Sequence, residues 1–582
     1  MKRMLPYGLH FLLWSGAAVV LFCCYPHLLA RQEANDFFQW SVPFFHEQLG
    51  HAPGLTSWLS AYLYQYFRWP LLGALFIATL ALLTAMLVCR ILKRKCPMPV
   101  STVFGLAVPL ALLVVSPFDL RVFLFAFFFF AFLYAGLSIN SLKGRVAYML
   151  IISVLGCFFV TWPMVVLLIT ILTLQACLGR RIHGHLLLGA VVCVGVSVVM
   201  VEFMKDKIAF IPFGQRYFYS PVSAMSAWLF YALFVVAVLP LFLHVQVKRR
   251  VTEWAVTGVG VLMVGVCLAL MLKNQENNYA ERTYRYVSMA ESRQWEQLLA
   301  SIPQEDVYKD RIAMAYALMA EVQLGTLPEH LFQYPIGNPE DLLFRYGMSA
   351  FECTFNHQFY ENLGIYDEAY RQAFEYGVMC PAGTSFWAIR KQVDDAMQAG
   401  DWKVAQKYLD ILDASSFHSQ WVAKRRKALE NHTDFEEEKP LVSERFINFY
   451  SFSSEMIHQL RARPTHRKLL DYALCALLLE RKVDKWAVTM QEFPFYRDKF
   501  LPRAYAEAAA MVVSSPMSET MKDFRVPPEA EQQFSQFYYA HTQSKNPTDL
   551  IKFQGSLWYY FHIVPKQAPA IGAMEGQQHA IN

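Results

Sequence analysis

The sequence predicts an all-α protein in which a polytopic helical membrane domain is followed by a soluble α-solenoid-like domain. Residues 1–272 consist of apolar runs separated by short basic loops, whereas residues 273–582 are charged and mixed in composition. Helical signals dominate the second half and return there at a regular spacing. Since a helix needs about 20 apolar residues to cross a bilayer, the first half has the composition of a membrane domain and the second half that of a soluble one.

The apolar runs predict about nine membrane segments. The run at residues 147–178 is too long for one helix, and Thr161-Trp162-Pro163 interrupts it. Because proline breaks the helical hydrogen-bond ladder and disfavours helix at the preceding residue, we expect a hairpin of two short helices there. The predicted segments are residues 7–29, 69–92, 100–116, 122–139, the hairpin at 147–178, 186–203, 224–245 and 254–272.

Loop charge predicts the orientation of these segments. If the hairpin counts as two segments, the basic loops all fall on one side, which the positive-inside rule assigns to the cytoplasm. The amino terminus is then cytoplasmic, and the soluble half lies outside the cytoplasm. The residues that carry this charge are Lys2, Arg3, Arg90, Lys93, Arg94, Lys95, Lys143, Arg145, Arg180, Arg181, Lys248, Arg249 and Arg250.

Residues 273–430 are predicted to form an extracytoplasmic block of helical repeats. Helical units open at Gly364-Ile365-Tyr366 and at Gly400-Asp401-Trp402. Their separation is close to the period of about 34 residues that is typical of tetratricopeptide-like helix pairs. Trp295 lies about two such periods earlier, and Lys482-Val483-Asp484 opens a further unit outside this phase. An irregular helical bundle is the alternative.

Two polar stretches divide and end the soluble half. The stretch at residues 431–440 (NHTDFEEEKP) indicates a loop, so residues 431–563 are predicted to form a second helical block. Residues 564–582 are rich in Gly, Ala, Gln and Pro, which predicts a disordered tail. Stacked helix pairs present long concave surfaces, which suits the binding of a protein partner.

Several kinds of chemistry are excluded or disfavoured. The net charge of +5 resides largely in the loops between apolar runs, so it does not indicate nucleic-acid binding. The segment His46-Glu47-Gln48-Leu49-Gly50-His51 is not a zinc-protease motif, because HExxH requires its histidines at i and i+4 and these are at i and i+5. The sequence also contains no GxSxG motif, P-loop or GxGxxG fingerprint.

Ionisable residues at the outer ends of the apolar runs are the candidate site. Charges at a membrane edge are energetically unfavourable and are often functional. Two carboxylates from different loops could act as a general base or hold a divalent metal, and neighbouring cations could bind the phosphate of a lipid carrier. The candidate catalytic residues are Asp36 and Asp119, and the candidate phosphate-binding residues are Arg121, Lys205, Lys207 and Arg216.

Each candidate also has a purely structural interpretation. Asp36 could be the N-cap of a helix at residues 37–49, and Asp119 could cap the fourth span while Arg121 anchors that span at the interface. Lys205 and Lys207 could simply contact lipid headgroups.

The layout of residues 1–272 resembles the GT-C class of membrane glycosyltransferases. Those proteins carry an acidic residue just after the first span, often followed by an interfacial helix, and Asp36 with residues 37–49 holds that place here. Many carry a second acid in the next outer loop, where Asp119 lies. The resemblance implies a polyprenyl-phosphate sugar as donor and Mg²⁺ or Mn²⁺ as a candidate cofactor. Where many such enzymes have an Asp-Glu pair, this chain has Asn35-Asp36, so metal binding by this loop stays open.

The whole chain also resembles an uncharacterised bacteroidete family of multipass membrane proteins with the same two-part organisation. The segments that carry this resemblance are Pro53-Gly54-Leu55, Trp69-Pro70-Leu71-Leu72-Gly73-Ala74 and Val404-Ala405-Gln406-Lys407-Tyr408-Leu409. It implies a bacterial inner membrane and a periplasmic carboxyl-terminal domain, but no activity.

Two functional hypotheses follow. In the first, the protein is an enzyme that moves sugar from a polyprenyl-phosphate carrier to an extracytoplasmic acceptor. In the second, it is a non-catalytic membrane-anchored scaffold whose helical repeats bind a cell-envelope protein.

Overall fold

The structure is a computed structural model that describes residues 5–49, 53–178, 184–205, 227–242, 250–344, 349–380, 383–415, 417–431, 451–544 and 547–565. The described chain is 81% helical and contains no strand, so the predicted all-α class is confirmed. The predicted loop at residues 431–440 lies outside the described residues after Asn431, and so does the predicted tail after residue 565.

The chain divides into two compact units. The first unit comprises Met1–Glu281 and a short later segment, Leu412–Trp421. The second unit comprises Arg282–Ile411 and Val422–Ile581.

The first unit is a bundle of mostly apolar helices. Among its described residues, seven helices are long and apolar enough to cross a membrane (α1, α5, α6, α7, α8, α10 and α12), and the apolar helices α9 and α11 are shorter. The helices are α1 (Leu5–Cys24), α2 (Pro26–Asn35), α3 (Val42–Leu49), α4 (Gly54–Tyr64), α5 (Pro70–Leu92), α6 (Met98–Val115), α7 (Leu120–Ser138), α8 (Leu142–Phe159), α9 (Trp162–Cys177), α10 (Gly184–Lys205), α11 (Ala227–Val238), α12 (Arg250–Lys273) and the start of α13 (Gln275–Glu291).

Helix α5 is the centre of this bundle and packs against α1, α6 and α7. Its buried side is built largely from alanines at helical spacing, Ala74, Ala78, Ala81 and Ala85, all with no exposed surface. Small residues let helix backbones approach closely. This matters in a bilayer, because the hydrophobic effect does not drive helices together there and van der Waals packing has to do so.

The first apolar run is shorter than predicted. Residues 7–29 were expected to form one span, but α1 ends at Cys24 and α2 begins at Pro26. Tyr25 leaves the helical region (φ −135°, ψ 41°) because it precedes a proline. Its hydroxyl donates a hydrogen bond to the carbonyl oxygen of Met271 at 2.6 Å. The break therefore separates a spanning helix from a short second helix that leads to Asp36.

The break predicted within residues 147–178 is confirmed. Helix α8 ends at Phe159 and α9 begins at Trp162, with Pro163 in its first turn. Proline is tolerated there because the first N–H groups of a helix have no intrahelical acceptor.

The two ends of α7 differ in chemistry. At its carboxyl end, Arg94 donates to the carbonyl oxygen of Leu137 and Arg145 donates to that of Ile139 at 2.9 Å. At its amino end lies Asp119. The basic loops that follow α5 and precede α8 thus share one end of the bundle, and Asp119 lies at the other.

The second unit is built from shorter helices. Leucine- and alanine-rich α16 and α24 are buried on nearly all sides and form its core. The helices are α14 (Trp295–Ser301), α15 (Gln304–Lys309), α16 (Arg311–Leu324), α17 (Leu327–His330), α18 (Ala350–Asn362), α19 (Tyr366–Met379), α20 (Phe386–Gln398), α21 (Trp402–Asp413), α22 (Ser419–Asn431), α23 (Phe452–Ala462), α24 (Arg467–Leu479), α25 (Val483–Glu492), α26 (Arg503–Val513), α27 (Pro528–Tyr539), α28 (Pro547–Ile551) and α29 (Leu557–His562).

Four helix pairs in this half share one turn geometry. The pairs α13/α14, α18/α19, α20/α21 and α24/α25 are each joined by three residues, and the middle one is left-handed in every case. That position is held by Arg293, Gly364, Gly400 and Arg481, with φ between 55° and 81°. Helices begin at Tyr366 and Trp402, where the sequence predicted helical units to open, and a helix also begins at Trp295. Their stacking into a regular solenoid stays a prediction.

We predict that Gly400→Ala lowers the free energy of unfolding by about 1–2 kcal/mol, the penalty for a side chain in the left-handed region. An added Cβ at Gly400 has open space around it, so the penalty is purely conformational. At Gly364 the Cβ would lie 2.6 Å from Nη1 of Arg463 and would displace a guanidinium that donates to the carbonyl oxygens of Leu363 and Gly364, so Gly364→Ala should lose more. Unfolding of the full chain in detergent measures both. Gly400→Asn is the control, because asparagine tolerates this conformation; a larger loss with Asn than with Ala would contradict the prediction.

Candidate functional site

Asp36 lies at the end of α2 in an extended conformation (φ −99°, ψ 172°). Its Oδ1 accepts a hydrogen bond from the Phe37 N–H at 2.7 Å. The interpretation of Asp36 as the N-cap of a helix at residues 37–49 is wrong, because residues 37–41 are not helical and α3 begins only at Val42, where Pro43 occupies the first turn. The Asp36 side chain is therefore not needed as the cap of that helix.

Helix α2, which carries Asp36, is anchored by charged contacts. At its amino end the carboxylate of Glu281 accepts hydrogen bonds from the backbone N–H groups of His27 at 3.2 Å and Leu28 at 2.7 Å. A carboxylate at this position also interacts favourably with the helix dipole. Near the other end, buried Glu33 lies 2.9 Å from Nε2 of buried His418. These contacts fix the position of the residue that follows α2.

Asp119 is the N-cap of α7. Its Oδ1 accepts hydrogen bonds from the backbone N–H of Arg121 at 3.0 Å and from the Arg121 Nε–H at 3.4 Å. The predicted structural role of Asp119 as a helix cap is thus confirmed. A role in catalysis is compatible with it, because the cap uses one carboxylate oxygen.

Tyr64, the last residue of α4, completes the amino end of α7. Its buried hydroxyl accepts a hydrogen bond from the Leu120 N–H at 2.8 Å and lies 3.3 Å from Oδ1 of Asp119. The sequence analysis missed Tyr64, because a tyrosine at the end of a short apolar segment has no local feature that separates it from a packing residue.

Asp36, Asp119, Arg121 and Tyr64 act on one another electrostatically. Burial raises the pKa of the Asp36 carboxyl above its usual value; the Arg121 guanidinium lowers it and the Asp119 carboxylate raises it further. Burial, Asp119 and Asp36 likewise raise the pKa of Tyr64 well above its usual value. The structure therefore brings Asp36, at the end of α2, near Asp119 and Arg121 at the start of α7, and these three residues are here termed the Asp36–Asp119–Arg121 cluster.

The side chains of the other predicted phosphate-binding residues lie outside the described residues. Lys205 is the last residue of α10, but its side chain lies outside the described residues. Lys207 and Arg216 lie outside the described residues altogether. Arg121 is thus the member of the predicted set whose side chain is described.

The cluster has the donors that a divalent cation would use. Among the described contacts, Asp36 and Asp119 each accept hydrogen bonds through Oδ1, which leaves one carboxylate oxygen on each. Mg²⁺ is commonly held by one or two carboxylates together with substrate phosphates and water. A phosphorylated substrate and water would have to supply the remaining ligands.

An aromatic band follows Asp36 along the chain and consists of Phe38, Trp40, Trp58, Tyr62 and Tyr66. The fully buried ring of Phe38 lies 5.1 to 5.5 Å from the rings of Trp40, Trp58 and Tyr62, mostly in edge-to-face or tilted geometry. Trp40 remains 54% exposed. Such rings prefer the water–lipid boundary, where an apolar face and a polar edge are both satisfied.

The segment Leu412–Trp421 packs on this band within the first unit. The backbone N–H of Trp40 donates to the carbonyl oxygen of Ala414 at 2.8 Å, and the ring of Phe417 lies 4.9 Å from that of Tyr66. Together with the Glu33–His418 contact, these interactions surround the loop that carries Asp36.

An all-α chain with seven long apolar helices among its described residues is a multi-pass membrane protein. Within that class, the chain belongs to a family of unknown function (DUF6057), which matches residues 3–564. No curated protein and no solved structure matches the chain.

We predict that Tyr64→Phe lowers the free energy of unfolding by about 1–3 kcal/mol, because the buried Leu120 N–H loses its acceptor. Thermal unfolding in detergent micelles measures the effect. Tyr62→Phe is the matched control, since its half-buried hydroxyl contacts only that of Tyr66 among the described residues, at 3.1 Å. Equal effects of the two substitutions would show that the Tyr64 hydroxyl does not support the amino end of α7.

Proposed function

We propose that this protein is a membrane glycosyltransferase that moves sugar from a polyprenyl-phosphate carrier to an acceptor outside the cytoplasm. The observation that carries the proposal is the convergence of Asp36, Asp119 and Arg121 at one end of the first unit. An acid with an adjusted pKa beside a second acid and a cation is typical of catalytic sites.

Asp36 acts as the general base. Its carboxylate takes the proton of an acceptor hydroxyl while the hydroxyl oxygen forms a bond to the anomeric carbon. The bond from that carbon to the phosphate oxygen breaks, and polyprenyl phosphate leaves with the electron pair. Because burial raises the pKa of Asp36 toward the working pH, its carboxylate is a better proton acceptor than a fully solvated aspartate.

Arg121 stabilises the negative charge that develops on the departing phosphate. A preoriented cation in a partly dry site does this more effectively than water. Asp119 holds the Arg121 side chain through Nε at 3.4 Å, and Tyr64 holds Asp119. In the alternative in which Asp36 is a metal ligand rather than the base, Asp36 and Asp119 would hold Mg²⁺ or Mn²⁺, and the ion would neutralise further phosphate charge.

The orientation of the bundle follows from its basic end. By the positive-inside rule, the loops with Arg94 and Arg145 face the cytoplasm. The Asp36–Asp119–Arg121 cluster then faces the other side of a bacterial inner membrane, where the aromatic band lies at the headgroup level and the second unit lies in the periplasm. This side is where polyprenyl-linked sugars would meet secreted acceptors.

Asp36→Asn should abolish transfer, since the amide keeps the size of the side chain but cannot take a proton. In native cells we expect the product glycan to disappear and the lipid-linked sugar to accumulate, at unchanged protein level in the membrane. Glu47→Gln is the matched control, as Glu47 is an exposed carboxylate in the same outer segment. An unchanged glycan profile in Asp36→Asn cells would refute the proposal.

The pH profile of transfer provides an independent test. Because Asp36 must be ionised and its pKa is raised, transfer should fall, as the pH is lowered, at a higher pH than the usual aspartate pKa of about 3.9. Arg121→Gln removes a cation that lowers this pKa, so the acid limb should move to higher pH. Asp119→Asn removes a carboxylate that raises it, so the limb should move to lower pH. Isolated membranes with endogenous donor provide the measurement, and coincident acid limbs would argue against Asp36 as the base.

The scaffold hypothesis draws support from a different surface. On α19, Phe374, Val378 and Met379 are about half exposed and lie close together on the helix. Apolar patches of this kind often bind a protein partner. If the protein is only a scaffold, Asp36→Asn leaves glycans unchanged while Phe374→Ser releases a co-purifying envelope protein.

A further inference from the structure

A second polar cluster lies in the second unit, between α18 and α20. His357 and Glu361 are one helical turn apart on α18, and Lys391 and Asp395 are one turn apart on α20. Side chains at this spacing point to the same face of a helix. His357 and Asp395 are almost completely buried, while Glu361 reaches the surface with 30% of its side chain exposed.

His357 makes a hydrogen bond through one of its two ring nitrogens. Its Nε2 lies 2.9 Å from Oδ2 of Asp395, so the ionised carboxylate fixes the proton on Nε2 and leaves the lone pair on Nδ1. The buried Nδ1 makes no hydrogen bond, and Oε2 of Glu361 lies 3.7 Å from it. Leaving a buried polar atom without a partner destabilises a fold by about 1–3 kcal/mol. A bound cation that accepts the Nδ1 lone pair would supply the missing partner.

The groups around Nδ1 favour a cation. Potential ligand atoms of His357, Glu361 and Asp395 lie within 4.8 Å of one another. Zinc is bound by imidazole nitrogen and carboxylate oxygen at about 2.0–2.2 Å. A modest closure of Glu361 toward His357 would bring both to such distances. A histidine that ligates a metal almost always donates its other N–H to an oxygen, commonly a carboxylate, which is the arrangement of Asp395.

A cation of the protein itself, the Lys391 ammonium, already lies beside Glu361. The ammonium of Lys391 is 3.1 Å from both carboxylate oxygens of Glu361. Glu291 and Asp395 also act on it electrostatically. The Lys391 stem is long and flexible, so its ammonium can leave Glu361 without a backbone movement.

We propose that this cluster binds a divalent transition-metal cation of the zinc class, with Nδ1 of His357 and the Glu361 carboxylate as direct ligands. Asp395 is a positioning residue that orients the imidazole from behind, and water completes the coordination. The cation displaces the Lys391 ammonium from Glu361. The site is separate from the Asp36–Asp119–Arg121 cluster, and its occupancy is read without any transfer assay.

The test uses the full chain, purified without a metal-binding tag in detergent and stripped with a chelator. Calorimetric titration with ZnCl₂ and the visible absorption of added Co²⁺ report binding. We expect saturable binding that His357→Gln and Glu361→Gln abolish and that Asp395→Asn weakens about 10–100-fold. His330→Gln is the matched control, because His330 also pairs with a glutamate in this unit, Glu321, at 3.0 Å. Wild-type affinity in His357→Gln and Glu361→Gln would overturn the proposal.

Lys391→Gln keeps the proposal falsifiable if the ligand variants do not fold. Removing the competing ammonium should tighten zinc binding about tenfold and produce a zinc-dependent rise in melting temperature. In a purely structural ion network, the same substitution lowers the melting temperature and zinc does not restore it. That second outcome overturns the proposal.

Discussion

The first unit depends on one constraint, which is that every helix end must find partners for its exposed backbone groups inside the protein or at the membrane edge. The hydroxyl of Tyr25 donates a hydrogen bond to a carbonyl oxygen of α12, and the carboxylate of Glu281 accepts hydrogen bonds from the N–H groups that begin α2. Tyr64 and Asp119 accept hydrogen bonds from N–H groups at the start of α7, and Arg94 donates one to a carbonyl oxygen at its end. Each of these side chains comes from a distant part of the chain or from the residue next to the helix, so the satisfied ends also fix how the helices are arranged.

The candidate site is a by-product of that arrangement. The amino end of α7 needs Asp119, and Asp119 in turn holds Arg121 beside it. The end of α2 brings Asp36 to the same place because its other end is attached to Glu281. A structural cap and a reactive carboxylate are thus combined at one site, where partial burial alters the acid–base properties of Asp36.

The sequence predicts the parts of this structure that depend on local patterns. Apolar length predicts the spans, proline at 163 predicts the break before α9, and turn residues predict the helix starts at Tyr366 and Trp402. The break at Tyr25 follows the same proline rule, but the sequence predicts one continuous span there because residues 7–29 are predominantly apolar. Asp36, Asp119 and Arg121 could be selected because ionisable residues at the outer ends of the apolar runs are energetically unfavourable and often functional.

The remaining features depend on contacts between residues far apart in the chain, which no local pattern encodes. Tyr64, Glu281 and His418 acquire their roles only when the helices are packed. The same is true of the pairing of His357 with Asp395, since neither residue lies in a recognisable motif. In both cases the informative quantity is burial of a polar atom, which a sequence does not give.

The placement of Leu412–Trp421 in the first unit bears on how the chain can be divided for biochemical work. A truncation after Glu281 would keep every predicted span and the carboxylate that caps α2, yet it would remove Phe417 and His418 from the first unit. Buried Glu33 would then lose its imidazole partner, a loss of about 1–3 kcal/mol. The backbone N–H of Trp40 would also lose its carbonyl acceptor. A membrane fragment that keeps the contacts of the first unit therefore has to include these ten residues, either as a linked segment or as a peptide added in trans.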